Sequence, residues 1–159
     1  MADKLERVGS GIPGFDGKIQ GGILKGSIVL YTGAPGTGKT LASIQFLAES
    51  SKKGLNCAYF GIEQTVDDIM NQADQLDQDL SKVKIFSSQD LKYDTMLGKK
   101  PQDVGDLIKL LLEMIKKGKY DCVVIDSVSS LEIEDGLRAR LIVKKLIDGL
   151  KKIGITSVL

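Results

Sequence analysis

The sequence contains no histidine, and this absence excludes several kinds of chemistry at once. Imidazole is the side chain most often used for proton transfer near neutral pH and for binding metals. A His-based catalytic triad and a His-ligated metal centre are therefore excluded. There are only two cysteines, Cys57 and Cys122, and each lies in an apolar, strand-like run. Such thiols are typical of a buried core in a reducing compartment rather than of a disulfide or a metal site.

The sequence also lacks a strong net charge and any long apolar run. Lys and Arg total 22 and Asp and Glu total 21, a net charge of +1, which indicates neither a nucleic-acid partner nor a membrane partner. No apolar run approaches the roughly 20 residues that span a bilayer, and the N-terminal residues do not resemble a signal peptide. The 159 residues suffice for one domain. We therefore expect a single cytoplasmic domain over 1–159, with an entry segment at 1–26 and a core at 27–159.

Short apolar runs alternate with segments of helical period along the core. Strands are predicted at 27–31, 57–62, 83–86 and 122–125, and from 155 to the last residue. Helices are predicted at 39–51, 104–118 and 137–150, and after a capping box at 65–68; the polar segment 87–101 is predicted to be a loop. Apolar strands separated by helices predict an α/β fold, a parallel sheet with helices on both faces.

A phosphate-binding motif follows the first core strand. The pattern G-x-x-x-x-G-K-[ST] is matched by Gly33, Ala34, Pro35, Gly36, Thr37, Gly38, Lys39 and Thr40. Glycines allow backbone N–H groups to converge on phosphate oxygens, and the helix that follows points its positive end at the same anion. The alternative is a Gly-rich turn that matches by chance, but the strand before the motif and the amphipathic helix after it favour phosphate binding.

The motif assigns separate roles to its last two residues. Lys39 is expected to reach the β- and γ-phosphates, and the Thr40 hydroxyl is expected to ligate Mg²⁺. The sequence therefore predicts ATP and Mg²⁺ as the ligands of this loop.

Two acidic residues follow predicted strands. Asp126 ends the apolar run 122–125, at the sheet edge where α/β proteins bind ligands, and is expected to hold a Mg²⁺-bound water. Glu63 follows the strand 57–62, where a carboxylate could activate the water that attacks the γ-phosphate. The alternatives are a turn residue for Asp126 and an exposed residue before a capping box for Glu63.

The chain resembles KaiC-like ATPases and archaeal RadA paralogs of the RecA superfamily. The resemblance rests on the segments 10–16 (SGIPGFD) and 21–27 (GGILKGS), the phosphate loop, Glu63-Gln64-Thr65 and the run VVIDS at 123–127. It implies a RecA-like P-loop fold and identifies Glu63 with the water-activating glutamate of the family. Gln64 departs from the family pattern, because an amide cannot accept a proton as a second glutamate would.

The resemblance also implies strands and loops beyond the one that begins at Ile155. The sheet is therefore expected to be truncated after that strand, which should insert between the phosphate-loop strand and the Asp126 strand. An open edge would remain, covered in a longer protein or by a second copy. Arg138 and Arg140 are candidates for a finger that reaches a neighbouring subunit's phosphate, but their helix also carries Lys144 and Lys145, as a solvated face does.

The function predicted from the sequence is slow, Mg²⁺-dependent ATP hydrolysis, with Lys39 and Glu63 as catalytic residues. Partners implied are ATP and further copies of the chain, with nucleotide near subunit interfaces; single-stranded DNA is a candidate that the charge does not support. One alternative is a nucleotide-dependent regulatory module with negligible turnover. The other is a small-molecule kinase, although such enzymes carry an Arg-rich lid and this chain has only three arginines, at 7, 138 and 140.

Overall fold

The elements of the fold alternate between strand and helix over most of the chain. A computed structural model of the protein describes residues 5–92, 101–130 and 136–159. The strands are β1 (Arg7–Val8), β2 (Ile23–Leu24), β3 (Ile28–Val29), β4 (Cys57–Gly61), β5 (Val83–Phe86), β6 (Cys122–Asp126) and β7 (Thr156–Val158). The helices are α1 (Lys39–Lys52), α2 (Val66–Gln75), α3 (Ser88–Lys92), α4 (Val104–Gly118) and α5 (Gly136–Ile153). Two short 3-10 helices lie at Asp16–Ile19 and Val128–Ser130.

Five parallel strands form the central sheet in the order β3-β7-β6-β4-β5. The pairing brings Ile28 opposite Ser157, Val123 opposite Ser157 from the other side, and Gly61 opposite Asp126. Because parallel neighbours need a crossover connection, each strand step is bridged by a helix-containing segment. The prediction that the Ile155 strand inserts between the phosphate-loop strand and the Asp126 strand is confirmed.

Helices cover both faces of this sheet, as the α/β prediction requires. Side chains alternate between faces along β4, so Tyr59 packs in one core and Phe60 in the other. The first core joins α1 and α2 to the sheet through Ile44, Phe46, Leu47, Ile69 and Ala73. The second core joins α4 and α5 to it through Ile108, Leu111, Ile115, Ile142, Leu146 and Leu150.

The local signals for helix boundaries correspond closely to the observed helices. Helix α1 begins at Lys39 and is followed by Gly54, whose φ of 84° is a left-handed conformation that glycine adopts without strain. At α2 the Thr65 side chain accepts a hydrogen bond from the Asp68 N–H, and the Asp68 side chain accepts one from the Thr65 N–H. The predicted capping box is therefore confirmed.

The prediction of a loop over 87–101 is wrong at its start, where α3 forms; residues 93–100 lie outside the described part of the chain. The Ser87 N–H and hydroxyl both donate to Asp90 Oδ2, at 2.8 and 2.7 Å. Leu91 is buried against the second core. A local cap and one buried leucine thus suffice for a short helix that the polar composition concealed.

The burial of apolar residues depends on where each element lies in the fold. β3 is an edge strand of the described sheet, as the open edge expected beside the phosphate-loop strand implies, and accordingly Leu30 is 64% exposed and Ile28 is half-buried. On α5, the predicted helix 137–150 carries a broad apolar face that includes Leu141, with Ile142 beside it, but Leu141 is 55% exposed. Ile142 is buried in its place, since the helix presents 142, 146 and 150 to the second core.

Among the described helices, none combines the length and hydropathy that a membrane crossing requires.

The two cysteines are fully buried partners on adjacent strands. Cys57 and Cys122 are directly paired between β4 and β6, and both are 0% exposed. The pKa of the Cys57 thiol is raised by its contact with Cys122 and by burial. Because a reagent needs an exposed thiolate, neither cysteine should react readily in the native state.

We therefore expect thiol labelling of the native protein to be slow and to accelerate steeply in denaturant. Titration with a chromogenic disulfide reagent, followed over increasing urea, measures this. A Ser81→Cys variant, at an exposed turn position, supplies the fast-reacting control. Rapid labelling of the parent chain at zero urea would contradict the burial of both thiols.

Candidate functional site

The phosphate loop lies between β3 and α1 and is exposed over residues 32–37. Gly36 and Gly38 have φ values of 80° and 85°, a region that side chains rarely enter. Apart from each glycine and its two neighbours in the chain, no described atom lies within 4 Å of the positions where their Cβ atoms would be. At Gly33, by contrast, an added Cβ would lie 2.6 Å from Thr37 Oγ1. Gly33 thus allows the backbone to pack closely against Thr37, and the backbone at Gly36 and Gly38 faces open space.

The Lys39 amino group folds back over this loop. Its Nζ donates to the Gly33 carbonyl at 2.8 Å and to the Ala34 carbonyl at 3.0 Å. Thr37 Oγ1 donates to the same Ala34 carbonyl at 2.8 Å. The ammonium is therefore held by neutral carbonyl groups, and a phosphate oxygen would be a stronger acceptor for it because both partners would be charged.

Asp126 is the last residue of β6, at the carboxyl edge of the sheet. Its backbone carbonyl accepts from the Ile62 N–H at 2.8 Å, which ties the ends of β4 and β6 together. Its carboxylate accepts from the Tyr59 hydroxyl at 2.7 Å through Oδ2. Burial and the negative charge of Asp126 raise the pKa of Tyr59, so that hydroxyl remains protonated and remains a donor. The next peptide bond, between Asp126 and Ser127, is cis.

A cavity of about 250 Å³ joins the phosphate loop to Asp126. The residues around it include Tyr31, Lys39, Ser43, Asp126 and Ser127. A cation from the loop and a carboxylate from β6 therefore face one space, as binding of a phosphate with a divalent cation requires.

Thr40 and Glu63 are placed differently from this pair. Thr40 is half-buried in the first turn of α1, and Glu63 is exposed two residues after β4 ends. Neither residue lines the cavity that Lys39 and Asp126 share. The structure thus brings two of the four predicted chemical residues together and leaves Thr40 and Glu63 outside that cavity.

The oxygens near the loop suit a magnesium ion. The Thr40 hydroxyl and the Asp126 carboxylate are hard oxygen donors, which Mg²⁺ prefers. Among the described residues there is no group of three or more acidic or thiol side chains that could hold a metal by itself. Mg²⁺ usually takes one or two protein ligands and completes its shell with phosphates and water, so this sparse donor set fits it.

The sequence did not indicate two residues that the structure places at the site. Tyr59 lies within an apolar strand, so its surroundings in the sequence suggest only core packing. The available signal was the alternation of side chains, which places Tyr59 on the same face of the strand as Gly61 at its end. Ser43 lies one turn after Lys39, and its hydroxyl donates to the Lys39 carbonyl at 3.0 Å. The i, i+4 spacing from Lys39 was the available signal for Ser43.

The entry segment packs against α1, the helix that carries Lys39. The Ser10 N–H donates to Asp16 Oδ1 at 2.9 Å, and the Ile12 N–H donates to Ser10 Oγ at 3.1 Å. Gly11 has a φ of 73°, and an added Cβ there would collide with the Gln45 carbonyl of α1. The small and turn-forming residues of this segment thus allow it to pack directly on the helix that carries Lys39.

Comparisons with known proteins identify the family of the chain. The sequence model of the family described as "ATPase: KaiC" matches residues 8–159. A UPF0273 protein of Aeropyrum pernix is 32% identical over 170 residues, covering 98% of this chain and 67% of that protein. The RecA protein of Campylobacter hominis is 29% identical over 171 residues, covering 98% of this chain and 45% of its own length.

A solved structure has the same fold. The crystal structure of a KaiC-like protein from Pyrococcus horikoshii superposes with a TM-score of 0.79 at 27% identity, covering 98% of this chain and 69% of that one. The chain thus spans about two thirds of the length of the curated relatives that it matches first.

A parallel sheet with a phosphate loop between β3 and α1, and with an acid at the end of β6, defines a P-loop protein of the RecA-like class. This chain belongs to the KaiC family of ATPases within the RecA superfamily.

Proposed function

We propose that this chain binds ATP together with Mg²⁺ at the loop 33–40 and Asp126, and that it hydrolyses ATP slowly. The observation that carries the proposal is that Lys39 and Asp126 line one cavity at the carboxyl edge of the sheet. The open backbone at Gly36 and Gly38 provides N–H groups for the β- and γ-phosphates. When bound, Mg²⁺ would neutralise phosphate charge and orient the γ-phosphoryl group.

Each residue has a distinct task in this proposal. Lys39 leaves the Gly33 and Ala34 carbonyls and takes the phosphate oxygens as stronger acceptors. Thr40 and Asp126 supply the oxygens that hold the cation and its water. Glu63 accepts a proton from the water that attacks the γ-phosphate, which requires it to approach the cavity when nucleotide is present.

One observation favours the second candidate, a nucleotide-dependent regulatory module with negligible turnover. Glu63 is exposed and does not line the cavity that holds Lys39 and Asp126. If its position does not change on binding, ATP would be held without an activated water. Binding and turnover must therefore be measured separately.

The deciding experiment measures ATP affinity and phosphate release on the same preparation, with Mg²⁺ and with EDTA. We expect Mg²⁺-dependent binding and slow release of phosphate. Binding with no measurable release would favour the regulatory module, and absence of binding would contradict both candidates. Parallel reactions with single-stranded DNA and with small-molecule acceptors test for DNA stimulation and for phosphoryl transfer.

We further propose that the chain assembles with other copies near the nucleotide. Support comes from β3, which lies at an edge of the described sheet with Leu30 64% exposed beside the phosphate loop. Arg140 is exposed on α5, whereas the side chain of Arg138 lies outside the described part of the chain. Sedimentation with and without ATP measures the oligomeric state, and an unchanged monomer in both conditions would contradict assembly.

A further inference from the structure

Tyr59 is a fully buried tyrosine whose hydroxyl group serves the candidate metal carboxylate. Its ring is 0% exposed in the core between the sheet and α1 and α2. Its hydroxyl donates to Asp126 Oδ2 at 2.7 Å, while Asp126 itself is only half-buried. A rigid donor from the core thus holds a carboxylate that faces the cavity.

The register of β4 and β6 explains how the two side chains meet. Tyr59 is paired with Val124 and Gly61 with Asp126, so all four residues point to the same face of the sheet. Tyr59 therefore lies one step below Asp126, and its long side chain extends along the strand direction. Gly61 lies directly opposite Asp126, and an added Cβ there would lie 2.9 Å from Ile69 Cδ1.

The hydroxyl has a second neighbour, but only one proton to donate. Gln64 Oε1 lies 3.3 Å from it, whereas Asp126 Oδ2 lies at 2.7 Å and is charged. The shorter bond to the charged acceptor is the stronger one, so the Tyr59 hydroxyl donates its hydrogen bond to Asp126 and not to Gln64. That bond fixes Oδ2 and leaves Oδ1 of the same carboxylate to hold the cation or its water.

We propose that Tyr59 is a positioning residue for the metal: its hydroxyl sets the orientation of the Asp126 carboxylate toward Mg²⁺ bound with the nucleotide. The inference rests on the proposed function and adds a residue that acts through Asp126 without touching nucleotide. Groups that orient a metal-holding side chain are typically worth 10- to 100-fold in metal affinity or activity.

The alternative is that Tyr59 only fills the core, and a Tyr59→Phe variant separates the two roles. Phenylalanine keeps the ring and removes the single hydrogen bond to Asp126. A packing role predicts unchanged metal dependence, whereas a positioning role predicts a weaker metal site in a protein that remains folded.

The test measures Mn²⁺ binding to the complex with ADP by electron paramagnetic resonance, and ADP affinity in EDTA by a fluorescent analogue. In Tyr59→Phe we expect the Mn²⁺ dissociation constant to rise about 10-fold or more, with ADP affinity in EDTA unchanged. Tyr120→Phe is the matched control, because Tyr120 precedes β6 and therefore lies near the amino end of that strand, whereas Asp126 lies at its carboxyl end. Thermal unfolding without ligands verifies that both variants fold.

The possible outcomes distinguish failure of the positioning role from failure of the proposed function. Tight Mn²⁺ binding by the parent and equally tight binding by Tyr59→Phe would overturn the positioning role alone. Failure of the parent to bind ADP with Mn²⁺ would overturn the proposed function and this inference with it. Loss of ADP affinity in EDTA would also overturn it, since the hydroxyl would then act on the nucleotide site as a whole.

A measurement on the parent chain covers the case in which Tyr59→Phe does not fold. With 3-fluorotyrosine incorporated, the ¹⁹F resonance of Tyr59 should shift when Mg²⁺ is added to the ADP complex, and the resonance of Tyr120 should not. Single Tyr→Phe variants at the other positions assign the signals. A Tyr59 resonance whose chemical shift does not change when Mg²⁺ is added would overturn the inference.

Discussion

Lys39→Ala is expected to abolish the rise in melting temperature that ATP with Mg²⁺ produces in the parent chain. A ligand at 100 times its dissociation constant that binds only the folded state adds about 2.7 kcal/mol to the free energy of unfolding. For a chain of this size that corresponds to a rise of about 5–10 °C. Lys39 is the one side-chain cation that the described structure places in the cavity with Asp126, so its loss should remove most of this gain. Differential scanning fluorimetry with and without MgATP measures the shift.

The unliganded Lys39→Ala protein should melt near the parent temperature. The hydrogen bonds that the Lys39 amine makes with described residues go to two exposed carbonyls of its own loop, and alanine is a strong helix former at the start of α1. Lys52→Ala, in the last turn of the same helix, is the matched control and should keep the full nucleotide shift. A shift in Lys39→Ala equal to that of the parent would show that nucleotide binds elsewhere.

Glu63→Gln is expected to reduce ATP turnover by about 10²- to 10⁴-fold while leaving ATP affinity nearly intact. The amide keeps the shape of the side chain and loses the ability to accept a proton from water. Affinity should survive because Glu63 does not line the cavity of Lys39 and Asp126. Phosphate release at saturating ATP gives the turnover, and a fluorescent nucleotide gives the affinity.

Glu113→Gln supplies the control for this substitution, since Glu113 is exposed on α4 at the other face of the sheet. Its turnover should match that of the parent. If Glu63→Gln releases phosphate as fast as the parent, Glu63 has no part in hydrolysis. A parent chain that binds ATP without turnover would instead favour the regulatory module.

The phosphate loop illustrates what contiguous residues can encode. The spacing of Gly33, Gly38 and Lys39 predicted a tight loop followed by a helix, and α1 begins at Lys39. The Thr65 and Asp68 pair likewise predicted the start of α2. Both signals concern residues within one or two turns of each other, so their physical basis is local: backbone freedom at glycine and capping of free N–H groups.

Positions whose environment depends on distant segments were predicted less well. Leu141 and Ile142 are apolar neighbours on the predicted broad face of α5, and of the two Ile142 is buried while Leu141 is exposed. Which of them is buried depends on the rotation of that helix against α4 and the sheet. The exposure of Leu30 follows instead from the open edge that the resemblance implied beside the phosphate-loop strand, and not from the composition of the strand.

The sequence by itself determined the alternation of strands and helices, the phosphate loop with Lys39, and the acid at the end of β6. The resemblance to the family added the strand order that the structure confirms. Only the tertiary structure decided which chemical groups meet. Tyr59 and Asp126 are 67 residues apart, and their hydrogen bond exists because β4 and β6 pair in one register, with Gly61 opposite Asp126. A shift of one residue would turn Tyr59 to the other face of the sheet, so no local pattern could have identified this pair.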